Sequence, residues 1–265
     1  MKVGYLGPYG SYSRLAAESF RPEAEFKEYP TFPCVMDALK SGECDYVVLP
    51  IENSLNGGVN QNIDLLQTTE NVIAFEEHVI NIDHRFATLK GAEKRGISRI
   101  YSHQQALAQC GGYIRKNYPN AQLLATPSTA ASLELLKSPT DACIVGSHIK
   151  KDGVELSSEN ISDEKCNVTH FLLIKNGSAE ESSHSQKIFF SVTCRHESGA
   201  LLKLLKPFSD GGMNMTKIVS RPIKEEVGAY RFFIEAEGDY SSDKVKRVLS
   251  SVKSASLTFK LLGAY

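Results

Sequence analysis

The sequence predicts an α/β protein: a body of two βα-rich lobes, residues 1–175, followed by a small ferredoxin-like domain, residues 187–265. Three observations carry this. Short apolar, β-branched runs alternate with helical patterns through residue 175, the rhythm of a largely parallel sheet covered by helices. Residues 176–186, NGSAEESSHSQ, are small, polar and serine-rich and read as a linker. Beyond them the order strand–helix–strand–strand–helix–strand is a βαββαβ unit.

The elements follow in order. Lys2–Leu6 is an apolar strand, followed by the loop GPYGSYS and a helix through Phe20. Phe32, Val35, Met36 and Leu39 fall on one helical face, with Pro33 in the first turn and Gly42 past the end. DYVVLP is a β-branched strand, and Val59, Ile63 and Leu66 mark the next helix. In INIDHRF, Ile80, Ile82, His84 and Phe86 alternate with Asn81, Asp83 and Arg85, which predicts one strand with two unlike faces. Ile97–Tyr101, Gln122–Ala125 and Asp141–Val145 are further short strands. Helices are expected near Gln105–Lys116 and Thr129–Lys137, the second capped by Ser128 or Thr129. Phe171–Ile174 reads as a buried strand, with Thr169 and His170 where it leaves the core. In the last domain, strands are expected at Ile188–Cys194, Met213–Ser220, Tyr230–Glu237 and Leu257–Leu262, and helices at Ala200–Ser209 and Ser242–Val252. The two lobes of the body are expected to enclose a cleft.

Composition excludes several function classes. Lys plus Arg (30) nearly balances Asp plus Glu (31), so there is no basic excess to follow a phosphate backbone, and no nucleic-acid partner is expected. The start MKVGYLGPYG has no apolar core of a leader and no stretch is long enough to span a bilayer, so a cytoplasmic protein without a membrane partner is expected. The six cysteines (Cys34, Cys44, Cys110, Cys143, Cys166 and Cys194) are scattered without a C-x-x-C pair. They read as free thiols, and no His/Cys set has the spacing of a metal site.

Four stretches can carry chemistry. GPYGSYSRLAA sets Ser11 and Ser13 at a helix N-terminus, which suits a carboxylate or phosphate, although a structural turn explains it as well. No Gly-Lys-Ser/Thr follows, which excludes a nucleotide P-loop. YVVLPIENSLNGGV presents Glu52, Asn53 and Ser54 at the carboxyl end of a buried strand, where α/β sheets gather ligands, or else forms a capped turn. SHQQALAQC and PSTAA place Ser102, His103, Gln105, Ser128 and Thr129 just after strands, each also readable as a cap. NVTHFLLI puts Thr169 and His170 beside an apolar run, as site residues or as an ordinary strand end. No Ser-His-Asp order emerges. Local patterns reach a polar, hydroxyl-rich site and no further.

Together these stretches resemble prephenate dehydratase over essentially the whole chain. The family's G-P-x-G-T-[FY]-[ST] is matched by GPYGSYS with Ser11 for Thr, and its P-[IV]-E-N-S-x-x-G-x-V by PIENSLNGGV in full. SHQQALAQC is similar to S-H-P-Q-A-L-x-Q-C with Gln104 for Pro, and STAAS matches S-T-A-x-A in part. NVTHFLLI corresponds to N-x-T-R-F-x-x-[IL]. The tail, SGALLKLLKPFSDGGMNMTKIVSRP and LLGAY, resembles a phenylalanine-sensing ACT domain.

The resemblance implies a two-lobed, periplasmic-binding-protein-like catalytic domain followed by the ACT domain. It implies loss of carbon dioxide and water from prephenate to give phenylpyruvate, without cofactor or metal because aromatisation drives the elimination. Thr169 would act on the departing oxygen, in a catalytic set with His170, Glu52, Asn53 and Ser54. Ser11, Ser13, Ser102, Gln105 and Thr129 would hold the ring and carboxylates, and Phe171 would pack behind its neighbours. His170 departs from the family's Arg. An arginine is always cationic and can grip a carboxylate through two bonds, whereas a histidine offers one N–H. A weaker grip by His170, a substitute cation such as Arg14 or Lys165, or an altered enzyme would each follow. Gly199, Ala200, Leu201, Asn214, Ser220 and Arg221 would bind the effector L-phenylalanine, with Val219 replacing the family's acid. A homodimer or homotetramer is implied, since such domains bind ligand between paired copies. Arogenate dehydratase and a non-catalytic phenylalanine-binding regulator are the competing readings.

Overall fold

The computed structural model describes residues 1–93, 96–178, 185–223 and 229–265, so most of the expected linker lies outside the described residues. The chain forms two compact units: Met1–Val59 with His78–Phe171, and Asn60–Glu77 with Leu172–Tyr265. In this division residues 60–77 and 172–175 go with the second unit, whereas the sequence places them in the body.

In chain order the first half contains β1 (Lys2–Leu6), α1 (Tyr12–Phe20), β2 (Glu25–Tyr29), α2 (Phe32–Lys40), β3 (Tyr46–Asn53), β4 (Gly57–Gly58), α3 (Asn60–Thr68), β5 (Val72–Asn81) and β6 (His84–Leu89). Then come β7 (Arg99–His103), α4 (Gln104–Gln109), α5 (Gly111–Asn117), β8 (Gln122–Thr126), β9 (Asp141–Gly146), β10 (Val154–Leu156) and β11 (Val168–Asn176). In the first unit β1 lies parallel between β2 and β3, and β3 lies between β1 and β11. Helix α2 forms where expected: Thr31 caps it, and Val35, Met36, Ala38 and Leu39 are buried. β4 folds back on the end of β3, pairing Glu52 with Gly58 and Asn53 with Gly57, and Gly57 supplies the φ of +75° this return needs. A second sheet in the same unit has the order β10-β6-β9-β7-β8. Helices α4 and α5 pack on it through Ala106, Leu107, Cys110 and Ile114 against Phe86, Ile100 and Ile144.

Four expectations are corrected. INIDHRF is not one strand: β5 ends at Asn81 and β6 begins at His84. The break arises because Ile82 N–H donates to Asn167 O, while the Tyr12 hydroxyl both donates to Asp83 O (2.9 Å) and accepts from Asp83 N–H (3.1 Å). Asp83 O also takes the N–H of Ser147 at 3.0 Å, so the chain leaves its first ladder at Ile82 and enters the β6/β9 pairing at Asp83. The single helix near Gln105–Lys116 is two helices broken at Cys110, because the Asp163 carboxylate takes the N–H of Gly112 and caps a new start. The helix near Thr129–Lys137 is only a 3₁₀ turn, Ala131–Leu135, with Ala130 in place of Ser128 or Thr129 at its N-cap, although the Ser128 hydroxyl accepts from Ala131 N–H at 3.0 Å. There the Ser132 hydroxyl bonds Thr129 O and competes with the helical pattern. Finally, β11 is longer than the buried run Phe171–Ile174: it begins at Val168, so Thr169 and His170 belong to the strand, at the end where it leaves the core. β2, EFKEY, is not legible in the sequence because it is a mostly exposed edge without apolar alternation.

In the second unit, β12 (Lys187–Thr193), α6 (Ala200–Asp210), β13 (Met215–Pro222), β14 (Tyr230–Glu237), α7 (Asp243–Ala255) and β15 (Thr258–Ala264) form the expected βαββαβ order. The sheet runs β13-β14-β12-β15, antiparallel throughout. One face packs on α6 and α7 through Ile188, Phe190, Val192, Leu204, Phe208 and Val252. Helix α3 is tied to β12, β13 and β15. Ser191 bonds Gln67, Arg221 pairs with Asp64 at 2.7 Å, and the Lys260 ammonium reaches the carbonyls of Leu66, Gln67 and Thr69 at 3.1, 2.6 and 2.7 Å. A cation on those terminal carbonyls satisfies groups that the helix itself leaves unpaired.

Among the described residues no helix is long and apolar enough to cross a membrane, and no group of three or more His, Cys, Asp or Glu could hold a metal ion. All six cysteines are free.

Candidate functional site

The carboxyl end of β3 meets the start of β11. Asn53 is buried there, and its amide nitrogen faces three acceptors: Asn167 Oδ1 at 2.7 Å, Thr169 Oγ1 at 3.0 Å and Val168 O at 3.1 Å. Its Oδ1 accepts from Leu55 N–H, Asn56 N–H and Asn56 Nδ2 at 3.2, 3.1 and 2.7 Å. Backbone groups cannot exchange roles, so two N–H donors on one side and a carbonyl on the other set the orientation of this amide. Ser54 completes the junction: its N–H donates to Val168 O at 2.9 Å, and its Oγ accepts from Val168 N–H at 3.0 Å.

That orientation propagates. Asn53 presents N–H, so Asn167 turns its oxygen toward it and its Nδ2 toward Gln109, whose Oε1 accepts at 3.2 Å. Oε1 of Gln109 also lies 2.9 Å from His84 Nε2, which must therefore be the donor. Burial pushes the His84 imidazole below its ordinary pKa, so the ring is neutral, with the proton on Nε2. Two buried atoms at the end of the chain have no partner among the described residues: Gln109 Nε2 and His84 Nδ1. Asn56 and Gln109, with His103, Gln104, Gln105 and Ala108, line an open hollow of about 550 Å³, within the size range of small-molecule sites.

Thr169 receives its bond from Asn53, and its own hydroxyl proton has no acceptor among the described residues. Strand alternation separates it from its neighbours. Thr169 and Asn53 meet, so Glu52 and His170, one residue away on each extended strand, belong to the opposite face. A grip of His170 on a substrate carboxylate would therefore come from the face of β11 opposite the Thr169 hydroxyl. Phe171, 2% exposed, packs in the core on the Thr169 side.

Other expected residues are not brought to this point. Ser102 is fully buried and donates to Ile144 O at 2.7 Å, a bond internal to the sheet. Ser11 caps α1, accepting from Arg14 N–H and donating to Leu6 O, and Ser13 is buried in that helix. Thr129 O accepts from Ser132. Arg14 is paired with Glu18 at 2.7 Å and sits 3.8 Å over the Phe26 ring, and Lys165 is held by Asn160 O. Gln105 is exposed at the hollow. Burial pushes the Cys110 thiol up to about 12, which removes it as a nucleophile.

Sequence reasoning missed Asn167, Gln109 and His84. Asn167 and Gln109 stood inside the motifs NVTHF and SHQQALAQC, and that membership was the available signal. His84 had none, being one polar position in an alternating run.

Of the effector residues, Gly199 opens α6 with a φ of +79°. Ala200 and Leu201 line a 160 Å³ hollow with Cys194, His196, Tyr230 and Phe232. Ser220 pairs with Phe232 in register, Asn214 O accepts from Glu237 N–H, and Arg221 is engaged by Asp64.

The arrangement offers one hydroxyl proton turned away from Asn53 and one amide donor unpartnered among the described residues, Gln109 Nε2, groups suited to an oxygen-rich anion. Comparison with known proteins agrees. The model of the family "Prephenate dehydratase" matches residues 3–179. The prephenate dehydratase of Lactococcus lactis subsp. cremoris is 35% identical over all of this chain and 97% of its own. The bifunctional chorismate mutase/prephenate dehydratase of Neisseria gonorrhoeae is 32% identical over all of this chain and 74% of its own length. The structure of prephenate dehydratase from Arthrobacter aurescens in complex with L-Phe matches with a TM-score of 0.90 at 28% identity, covering 100% of this chain and 90% of that one. The enzyme from Staphylococcus aureus matches with a TM-score of 0.82 at 27% identity over the whole of both chains. On full-length identity and the family match alike, this chain belongs to the prephenate dehydratase family.

Proposed function

We propose that the decarboxylating dehydration of prephenate to phenylpyruvate takes place at the Asn53–Thr169 pair, and that L-phenylalanine restrains it through the βαββαβ domain. In the reaction the ring carboxylate leaves as carbon dioxide, its bonding electrons enter the ring, and the ring hydroxyl departs as water, taking a proton from solvent that the Thr169 hydroxyl relays, giving its own proton and receiving another. Expelling hydroxide is the difficult step. The observation that carries the reading is the bond from Asn53 to Thr169 Oγ1: an amide N–H can only donate, so the hydroxyl proton of Thr169 is turned away from Asn53, free for the departing oxygen. The Gln109 amide N–H, unpartnered among the described residues, would bind a carboxylate and help hold the dianion in one pose. Mixing the protein with prephenate and following phenylpyruvate absorbance tests this. Arogenate serves as the competing substrate, and no product from either would leave the non-catalytic regulator.

His170 is assigned no grip on substrate. His170→Arg is expected to change KM by less than about threefold. Bonds to a charged group are worth about 1.5–3 kcal/mol, so a fall in KM of tenfold or more would return the residue to the substrate site.

Support for the effector site is the positive-φ Gly199 beside the hollow at Ala200 and Leu201. L-phenylalanine is expected to inhibit. Gly199→Ala adds a side chain with open space around it but a strained backbone, costing roughly 1–2 kcal/mol. Relieving that strain moves the Gly199 N–H, so the inhibitory concentration should rise at least fivefold while uninhibited kcat is retained. Calorimetric titration with L-phenylalanine reads the same change. The proposal includes a cytoplasmic homo-oligomer that pairs these domains, measurable by light scattering.

A further inference from the structure

We infer that His84 is a positioning residue of the dehydratase site, holding the Gln109 amide so that its NH₂ group is presented as a donor. The inference rests on the proposed function and adds a residue that no motif marks. His84 opens β6, is 3% exposed, and is braced through its backbone: Ile161 N–H donates to His84 O at 2.9 Å. The backbone of Gln109 is braced as well, its carbonyl accepting from Asp163 N–H at 2.8 Å. What remains free to turn is the Gln109 amide.

Two donors converge on its oxygen, Asn167 Nδ2 at 3.2 Å and His84 Nε2 at 2.9 Å. With both in place, a flip of the amide would set N–H against N–H twice. With His84 removed, only the longer bond opposes the flip. A ring suits this role: the imidazole has few rotamers, and its single Nε2–H fixes the polarity of the bond. The Nδ1 atom, buried without a partner among the described residues, makes a role confined to core hydrogen bonding a poor explanation of the choice of histidine. The buried donor held in this way is Gln109 Nε2, on a side chain that borders the hollow beside Asn56.

The test uses the full chain with prephenate. His84→Phe keeps a ring but loses the donor, and should lower kcat/KM at least tenfold. His84→Gln keeps an N–H donor and should recover to within about threefold of wild type. In a Gln109→Met background, His84→Phe should lower the residual kcat/KM no further, because the residue acts through that amide. Wild-type kcat/KM for His84→Phe, or losses that multiply in the double variant, would overturn the inference. Should His84→Phe fail to fold, the ring tautomer of His84 decides in the unmodified protein: ¹⁵N-histidine NMR should show a neutral ring protonated at Nε2, and a proton at Nδ1 would overturn the inference. A wild-type protein that leaves prephenate untouched would sink the function itself while the tautomer measurement still stands.

Discussion

Thr169→Ala is expected to lower kcat for prephenate by about 10²- to 10⁴-fold, the range for losing a group that hydrogen-bonds the departing oxygen and relays a proton to it in the transition state. The change should fall on kcat more than KM, because a hydrogen bond to departing hydroxide strengthens as charge develops on it. Folding should survive. The Asn53 amide keeps Asn167 Oδ1 and Val168 O as acceptors, so the loss is one hydrogen bond of about 0.5–1.5 kcal/mol. Thr169→Ser retains the hydroxyl on the same strand face and should hold kcat within about tenfold. If Thr169→Ala kept kcat within a factor of ten, the proton would have to come from another group.

Asn53→Asp is the stronger test of polarity, since it changes almost nothing in shape. The new carboxylate would face Asn167 Oδ1 and Val168 O, which now lie 2.7 and 3.1 Å from an amide nitrogen. Each unsatisfied acceptor costs about 1–3 kcal/mol. Two responses relieve this, and both damage the site. The Thr169 hydroxyl can turn to donate to the carboxylate, which withdraws its proton from the substrate. Asn167 can flip, which turns its oxygen on Gln109 and reverses the bonds beyond. A loss in kcat of at least 10²-fold, a raised KM and a lower urea midpoint are expected together. Steady-state kinetics and denaturant melts would show it. A variant with full activity would mean that the direction of these bonds does not matter.

Much of this architecture was readable before any coordinates. The periodicities of α2 and of the βαββαβ domain are local, and those elements formed within a few residues of the expected bounds. The errors have two causes. INIDHRF, Gln105–Lys116 and Thr129–Lys137 all have acceptable local patterns, and each was broken by a partner distant in sequence or by a competing side chain: Asn167 and Tyr12, Asp163, and Ser132.

The same division holds at the site. The sequence alone singled out the candidate segments, because motif order and the polar ends of strands are properties of the linear chain. It also placed Thr169 and Asn53 among the candidates. Only the tertiary structure decided that they touch, that His170 faces away from Thr169, that Ser102 is buried, and that His84 stands behind Gln109. Asn53 and Thr169 are 116 positions apart, Asn167 and Gln109 are 58, and His84 and Gln109 are 25. The direction of a hydrogen bond between amides is set by what each amide already bonds on its other side. That information lies in the register of β3 against β4 and β11 and in the backbone N–H groups of Leu55 and Asn56, which no local pattern encodes.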